Sequence, residues 1–264
     1  MALHAVAQEY RQQSPLVFCL TNTVVANFTA NVLLASGASP AMTDLPREAG
    51  PFAKAASAVL VNLGTPSTEQ LAAMEEAVQS ASAAGTPWIL DPVAVGALPV
   101  RTDFARLIAR QRPALIRGNA SEILALAGRQ SASRGVDALD DVSAALAAGR
   151  DLAQQHDCVV AISGQSDAII DAARTVLVHT NGIGLTRITG GGCALGAFCA
   201  GMIAVHDDPF EAAIAAHGFY GLAAEKALGN NTGPGSFAVA FIDALSATDP
   251  EELKTLKHEE LNHA

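Results

Sequence analysis

Five short apolar runs, separated by longer helical stretches, constrain the fold of this chain more than any other feature. Each run is continuous rather than alternating, and each stops at glycine, asparagine, aspartate or threonine. Continuous apolar runs of this length are typical of strands buried on both faces of a parallel sheet. The runs are LVFCL (16–20), AVLVN (58–62), PWILD (87–91), ALIRG (114–118) and CVVAISG (158–164).

Helical patterns, with apolar residues recurring every three or four positions, lie between and after these runs. They cover residues 23–36, 67–84, 119–127, 140–156, 191–205, 209–229 and 235–246, and a further strand is predicted at 171–180. This order predicts a single three-layer α/β/α domain over residues 1–264, with a largely parallel central sheet and helices on both faces. Half of the residues are hydrophobic, which is enough to fill such a core.

The charge balance and the cysteines narrow the expected partners and compartment. Lysine and arginine total 16 against 26 acidic residues, without any basic cluster, so we expect neither nucleic acid nor a membrane as a partner. The most apolar run, 193–205, is shorter than the roughly 20 residues that span a bilayer. The four cysteines form no CxxC pair, and the N-terminal residues lack a signal-peptide pattern. We therefore expect a cytoplasmic protein that binds small molecules.

Polar residues follow the predicted strands, and in open α/β sheets ligands bind beyond the carboxyl ends of the strands. Thr21 and Asn22 follow the first strand, where capping of the next helix and substrate contact are both open interpretations. Asp91 ends the third strand, and Pro92 prevents regular continuation of that strand. Its carboxylate is either a strand terminator or a cation ligand.

The fourth and fifth strands end in polar residues of the same kind. Asn119 or Ser121 can cap the following helix, and Glu122 lies in its first turn, where interaction with the helix dipole is the favoured interpretation. Ser163, in the turn SGQSD, can contact a phosphate or merely close the turn.

Three consecutive glycines, Gly190, Gly191 and Gly192, precede Cys193 at the start of a helix of small residues. A helix N-terminus offers unpaired N–H groups and the positive end of a dipole, so this turn is predicted to bind an anion. It does not match the phosphate loop GxxxxGK[ST], and leucine at position 195 breaks the dinucleotide fingerprint GxGxxG. The same helix N-terminus is expected to lower the pKa of the thiol, although a nearby phosphate would oppose this.

Several motifs in order resemble the hydroxyethylthiazole kinase family, whose fold is ribokinase-like. They are ASPAM (38–42), LDPVAVGA (90–97), IRGNASEILALAG (116–128), GGGCALGAF (190–198) and NTGPGSF (231–237). The resemblance covers most of the chain. It implies ATP-dependent phosphorylation of the hydroxyl of 4-methyl-5-(2-hydroxyethyl)thiazole, with Mg²⁺ as cofactor, in thiamine salvage.

The resemblance also implies roles for individual residues and an assembly. Asp91 and Glu122 would assist Mg²⁺, and Arg117, Asn119 and Ser163 would contact ATP. The thiazole would be contacted by Asn22, Met42 and Gly190. The catalytic turn would consist of Gly190, Gly191, Gly192 and Cys193. Cys193 stands where related sugar kinases carry an aspartate base, so a base and a residue that shapes the pocket are both open roles. Relatives are homotrimers with sites at subunit boundaries.

Three positions depart from the pattern of the family. Gly191 replaces the threonine of GTGC, Gln165 replaces the glutamate of TGE, and Arg117 stands where lysine is frequent. The alternatives are a kinase of the same fold that acts on a pyrimidine or sugar alcohol, a thiazole-binding or regulatory protein without turnover, and a nicotinamide- or flavin-dependent oxidoreductase. The seven histidines show no metal-binding spacing, and His217 is interpreted as a packed or surface residue of an alanine-rich helix.

Overall fold

A computed structural model of the chain describes residues 1–129, 138–229 and 233–261. Its strands are β1 Leu16–Leu20, β2 Ser39–Ala41, β3 Ala58–Asn62, β4 Trp88–Asp91, β5 Leu115–Asn119, β6 Val159–Ser163, β7 Asp167–Ile170, β8 Thr175–His179 and β9 Lys257–Glu260. They form one nine-stranded sheet in the order β2-β1-β3-β4-β5-β6-β7-β8-β9. The first six strands in this order are parallel, and the last three pair antiparallel. The prediction of a largely parallel sheet is therefore confirmed.

Helices account for most of the remaining described chain. They are α1 Leu3–Gln13, α2 Ala26–Ser36, α3 Ala49–Ala55, α4 Thr68–Ala84, α5 Pro99–Ala109, α6 Ala120–Leu126, α7 Ala138–His156, α8 Gly191–Ile203, α9 Pro209–Leu228 and α10 Pro234–Ala247, with short 3-10 helices at Ile183–Arg187 and Pro250–Thr255. Within the described ranges, no helix is both long enough and apolar enough to span a membrane.

Two hydrophobic cores lie on opposite faces of the sheet. Successive strand residues point to opposite faces, so Val17 and Cys19 join one core while Phe18 and Leu20 join the other. Helices α1, α2, α8, α9 and α10 contribute to the first core, and α3 to α7 contribute to the second. This is the predicted three-layer α/β/α arrangement.

Helix α8 lies close over the middle of the sheet. A Cβ atom at Gly196 would stand 3.2 Å from Leu60 Cδ1 and 3.4 Å from Asp91 Oδ2, so a glycine permits this close packing. Because of this approach, the N-terminus of α8 lies above the carboxyl ends of β3 and β4, where the sequence predicts the site.

Candidate active site

Polar side chains end four neighbouring strands of the sheet. Asn62 of β3 pairs in register with Asp91 of β4, and Asn119 of β5 pairs in register with Ser163 of β6. Because these strands are parallel, their carboxyl ends share one edge. The edge predicted from the sequence to bind ligands therefore does carry a continuous row of polar groups.

Asp91 is the buried carboxylate of this row, with only 1% of its surface exposed. Its Oδ2 atom accepts a hydrogen bond from Asn62 Nδ2 at 2.7 Å, whereas its Oδ1 atom has no partner among the described residues. Burial raises the pKa of Asp91 to about 7, although Arg117 and Asn62 oppose the shift. A cation at the free oxygen would favour the ionised form, so the site suits a metal ion.

Arg117 joins Asp91 to the end of β6. Its Nη1 atom lies 3.9 Å from Asp91 Oδ2, and its Nη2 atom donates to Ser163 Oγ at 2.5 Å. Burial is the largest single influence and disfavours the charge of Arg117, but Asp91, Asp167 and the nearby cysteines together outweigh burial, so the pKa of the guanidinium rises above its usual value. Its Nε atom has no partner in the described part of the chain. The Arg117 side chain is thus a buried, permanent cation whose Nε–H group can donate to a ligand.

Asn119 and Glu122 form the start of α6. Asn119 Oδ1 accepts from the Glu122 backbone N–H at 2.9 Å, and Glu122 Oε2 accepts from the Asn119 backbone N–H at 2.9 Å. This is a reciprocal capping box, so the capping interpretation of Asn119 is confirmed. Glu122 Oε1 also accepts from the Ala94 backbone N–H at 3.1 Å. Glu122 therefore fixes the loop after β4, and each of its oxygens retains a lone pair that could accept from a water.

The glycine turn begins α8 as predicted. Gly190 is the N-cap residue, with φ of 92° and ψ of −8°, a left-handed conformation that glycine adopts without strain. The first intrahelical bond of α8 runs from the Ala194 N–H to the Gly190 carbonyl. The backbone N–H groups of Gly191, Gly192 and Cys193 therefore have no intrahelical acceptor and are available to an anion.

Cys193 is half-buried beside two asparagines. Asn22 Nδ2 lies 3.6 Å from Cys193 Sγ and donates to Asn62 Oδ1 at 2.8 Å. Burial raises the pKa of the Cys193 thiol, and the nearby Asp91 carboxylate adds to the shift. The pKa of the thiol is therefore shifted in the direction opposite to the one expected from the helix N-terminus, with burial as the largest cause.

The capping interpretation of Thr21 and Asn22 is also wrong. Helix α2 begins at Ala26, three residues later than the predicted start, and its N-cap residue is Val25 without a side-chain cap. The amide of Asn22 instead joins the network of Asn62 and Cys193. This leaves substrate contact as the interpretation of Asn22 that the structure permits.

A cavity of about 670 Å³ opens beside this network and reaches α9. Its volume lies within the range of small-molecule sites. The predicted residues that line it are Arg117, Asn119, Ser163, Gly191 and Gly192, together with Gln165 from the turn that departs from the family pattern. Asn22, Asp91, Glu122, Gly190 and Cys193 do not line it and form the adjoining polar edge. Arg117 belongs to both parts, so it connects the cavity to Asp91.

Met42 and the NTGPGSF element are the remaining predicted parts of the site. Met42 follows the edge strand β2, three strand positions from β4, which corresponds to about 14 Å at the usual strand spacing. Strand β2 pairs directly with β1, the strand that Asn22 follows. In the NTGPGSF element, residues 231 and 232 lie outside the described residues, and Gly233 is the N-cap residue of α10.

Sequence reasoning missed four residues that shape the site. They are Asn62, Asp167, His217 and Tyr220. Asn62 ends a buried apolar run just as Asp91 does, so its position could have identified it. Tyr220 donates its hydroxyl to the Gly191 carbonyl at 2.8 Å, and no local sequence signal indicates that contact.

Comparisons with known proteins agree with this geometry. A model of the hydroxyethylthiazole kinase family matches residues 7–251. A protein named hydroxyethylthiazole kinase, from Clavibacter sepedonicus, is 56% identical over 243 residues, covering 92% of this chain and 88% of that protein. A solved structure of a hydroxyethylthiazole kinase protein from Pyrococcus horikoshii OT3 is similar with a TM-score of 0.90 and 33% identity, over 98% of this chain and 99% of that one. A ribokinase-like superfamily protein from Enterococcus faecalis V583 shares the fold alone, with a TM-score of 0.64 and 11% identity, over 92% and 94% of the two chains.

Proposed function

This chain belongs to the hydroxyethylthiazole kinase family, and from that membership we infer that it transfers the γ-phosphate of ATP to the hydroxyl of 4-methyl-5-(2-hydroxyethyl)thiazole. The reaction is the one that thiamine salvage requires of this family. The observation that carries the proposal is the Asp91–Arg117 pair, which lies beneath the glycine turn at the edge of the cavity. A free carboxylate oxygen, a buried cation and unpaired N–H groups meet there.

The cavity is the proposed site of ATP. Arg117, Asn119 and Ser163 line it, and Arg117 offers a charge that does not depend on pH in the ordinary range. The N–H groups of the glycine turn would donate hydrogen bonds to the phosphates at the helix N-terminus. Phosphoryl transfer depends mainly on positioning and charge stabilisation, and these groups supply both.

Mg²⁺ is the proposed cofactor, held by Asp91 with the help of Glu122. The unpartnered Oδ1 atom of Asp91 is a hard oxygen donor, which is the ligand type that Mg²⁺ prefers. Among the described residues there is no group of three or more histidine, cysteine, aspartate or glutamate side chains placed to hold a metal. Mg²⁺ suits this sparse set because it keeps several waters and binds substrate phosphates. When bound, it would neutralise part of the phosphate charge.

Asn22, Gly190 and Met42 are the proposed thiazole contacts, with Cys193 facing the reacting hydroxyl. The amide of Asn22 is oriented by Asn62, which holds it against the thiol. Because burial raises the pKa of the Cys193 thiol, we propose that it shapes the pocket rather than removing a proton.

We also propose the homotrimer of the family, with sites at subunit boundaries. Met42, which the resemblance assigns to the substrate, follows β2 at the edge of the sheet, and its side chain is 36% exposed. A neighbouring subunit would bring Met42 to the Cys193 of another chain. Exposed apolar side chains near the substrate residues support such an interface: Val24 is 64% exposed, Met42 36% and Leu45 55%.

The test is the formation of ADP and of a phosphorylated alcohol by the purified protein. The thiazole alcohol is compared with a panel of pyrimidine and sugar alcohols, each with and without Mg²⁺, and products are identified by mass spectrometry. Selective, Mg²⁺-dependent phosphorylation of the thiazole is expected. Selective turnover of another alcohol would mean that the substrate is that alcohol and not the thiazole. Thiazole binding without ADP formation would contradict the proposed kinase activity.

A further inference from the structure

We propose that His217 is a positioning residue for the nucleotide, acting through Asp167 on the turn that carries Ser163. The inference rests on the proposed function, because it assigns the cavity to ATP. The proposal assigns a functional role to His217, a buried histidine that takes no part in the proposed reaction. It also explains why an ion pair lies in the wall of the cavity.

A chain of contacts leads from His217 to Arg117. His217 Nδ1 lies 2.6 Å from Asp167 Oδ2, and Asp167 Oδ1 accepts from the Gly164 backbone N–H at 3.0 Å. Gly164 follows Ser163, whose hydroxyl accepts from Arg117 Nη2. Both oxygens of Asp167 are thus engaged, one on helix α9 and one on the turn after β6. The pair fixes the turn that orients the guanidinium.

Burying the His217 side chain carries a desolvation cost, and a functional role would explain why the residue lies there. Its side chain is fully buried in α9, with Ala216 and Gly218 beside it in a helix whose buried residues are mostly apolar. Replacing a buried ion pair by apolar residues is often neutral or stabilising, so packing alone does not explain a histidine here. Both His217 and Asp167 line the cavity, so a ligand bound there would lie close to the pair.

The charges of His217 and Asp167 also affect how Arg117 can bind the nucleotide. An uncompensated carboxylate in this cavity would repel phosphates and attract Arg117 away from them. Burial alone would lower the pKa of His217, but Asp167 and the nearby Cys199 raise it to about 9. Burial likewise opposes the charge on Asp167, yet His217 holds the pKa of that carboxyl below its usual value. At neutral pH the two charges cancel each other, which leaves the charge of Arg117 available to the nucleotide.

Two variants of His217 separate the hydrogen bond from the charge. His217→Leu removes both, whereas His217→Asn keeps an N–H donor near the position of Nδ1 but removes the charge. His156→Asn is the matched control, because His156 is another buried histidine on a helix and does not line this cavity. For each protein, the affinity for ATP is measured by calorimetry without the thiazole, and KM for each substrate and kcat are measured by ADP release.

The expected result is a loss confined to the nucleotide. His217→Leu weakens ATP binding and raises KM for ATP by about tenfold or more, the effect typical of a residue that orients a direct ligand contact. His217→Asn shows a smaller loss of the same kind, since the donor is restored without the charge. KM for the thiazole changes less than about twofold by the same reasoning, and His156→Asn behaves as wild type.

Several outcomes would overturn the proposal. Wild-type affinity for ATP in a folded His217→Asn protein would do so, even if His217→Leu failed to fold. Equal losses for both substrates would also do so, because they indicate a general structural role. Since ATP affinity is measured without the thiazole, failure of the wild type to phosphorylate the thiazole contradicts the proposed function and leaves this test in force.

Discussion

Burial raises the pKa of the Cys193 thiol, and this decides what the loss of its side chain should do to turnover. We predict that Cys193→Ala lowers kcat by less than about tenfold, because a general base would contribute about 100-fold or more. Gly191→Ala should cost far more, about 100-fold, since its Cβ atom would lie 2.6 Å from the Leu185 carbonyl oxygen and displace the turn. Steady-state rates of the two folded variants make the comparison, and a complete loss of activity in Cys193→Ala would contradict it.

Single residues were predictable from the sequence where their signal is local. Asp91, Asn119 and Ser163 stand at the ends of apolar runs, and the run itself indicates the edge they occupy. His217 has no such signal: its partner Asp167 is 50 residues away, so only the tertiary fold reveals the pair. For Asn22 a local signal was present but misleading. Its residue type suits an N-cap, but a helix that starts at Ala26 leaves the side chain for other contacts.

At the scale of elements, the His217–Asp167 pair fastens α9 to the start of β7, and its contribution to stability should depend on pH. The pKa of His217 is about 9 in the fold against 6.5 ordinarily, so its contribution is complete below about pH 6.5 and is lost as pH rises through about 9. The difference in unfolding free energy between wild type and His217→Asn should therefore shrink by about 3 kcal/mol over this window.

Denaturant unfolding at about pH 6 and about pH 9.5 measures this change in the difference. His156→Asn is the control: burial lowers the pKa of His156, so its difference from wild type should not shrink over the same window. A His217→Asn difference that is equal at both pH values would mean that His217 is not charged in the folded protein.

Helix packing gives a second prediction at this scale. A Cβ atom at Gly201 in α8 would lie 2.5 Å from Tyr10 Cε2, and Tyr10 is buried. Gly201→Ala should lower the free energy of unfolding by about 1–3 kcal/mol, the usual cost of overpacking. Gly235→Ala in α10 is the matched control, because no described atom lies within 4 Å of its added Cβ. It should be neutral or slightly stabilising through helix propensity, and equal effects at the two positions would contradict the packing argument.

Elements were predictable where their apolar pattern was strong. The five buried strands and seven of the helices lie where continuous or periodic apolar residues indicate them. Strand β9 reads KHEE and is exposed along its whole length, so it carries no apolar signal and is set by pairing with β8. Helix α1 did carry a signal: Leu3, Val6, Ala7 and Tyr10 are spaced for one buried helix face and are all buried.

At the scale of the molecule, the fold and the family agree, whereas the assembly and the single-domain organisation stay predictions. We predict a trimer whose mass in solution is three times the 27.0 kDa of the chain. In such a trimer, Met42 of one subunit would serve the site of Cys193 in another, and the exposed apolar side chains Val24, Met42 and Leu45 would be covered. Light scattering coupled to size exclusion measures the mass, and a fully active monomer would contradict the shared site.

The proposed phosphoryl transfer is tested most directly by the Mg²⁺ dependence of thiazole phosphorylation in wild type and in Asp91→Asn, with Asp103→Asn as the control at an exposed aspartate. We predict a saturable requirement for Mg²⁺ in wild type and in Asp103→Asn. Asp91→Asn should lose about 100-fold in turnover while it remains folded, because the buried carboxylate would hold the metal beside Arg117. A folded Asp91→Asn protein with wild-type turnover and wild-type Mg²⁺ dependence would contradict this prediction.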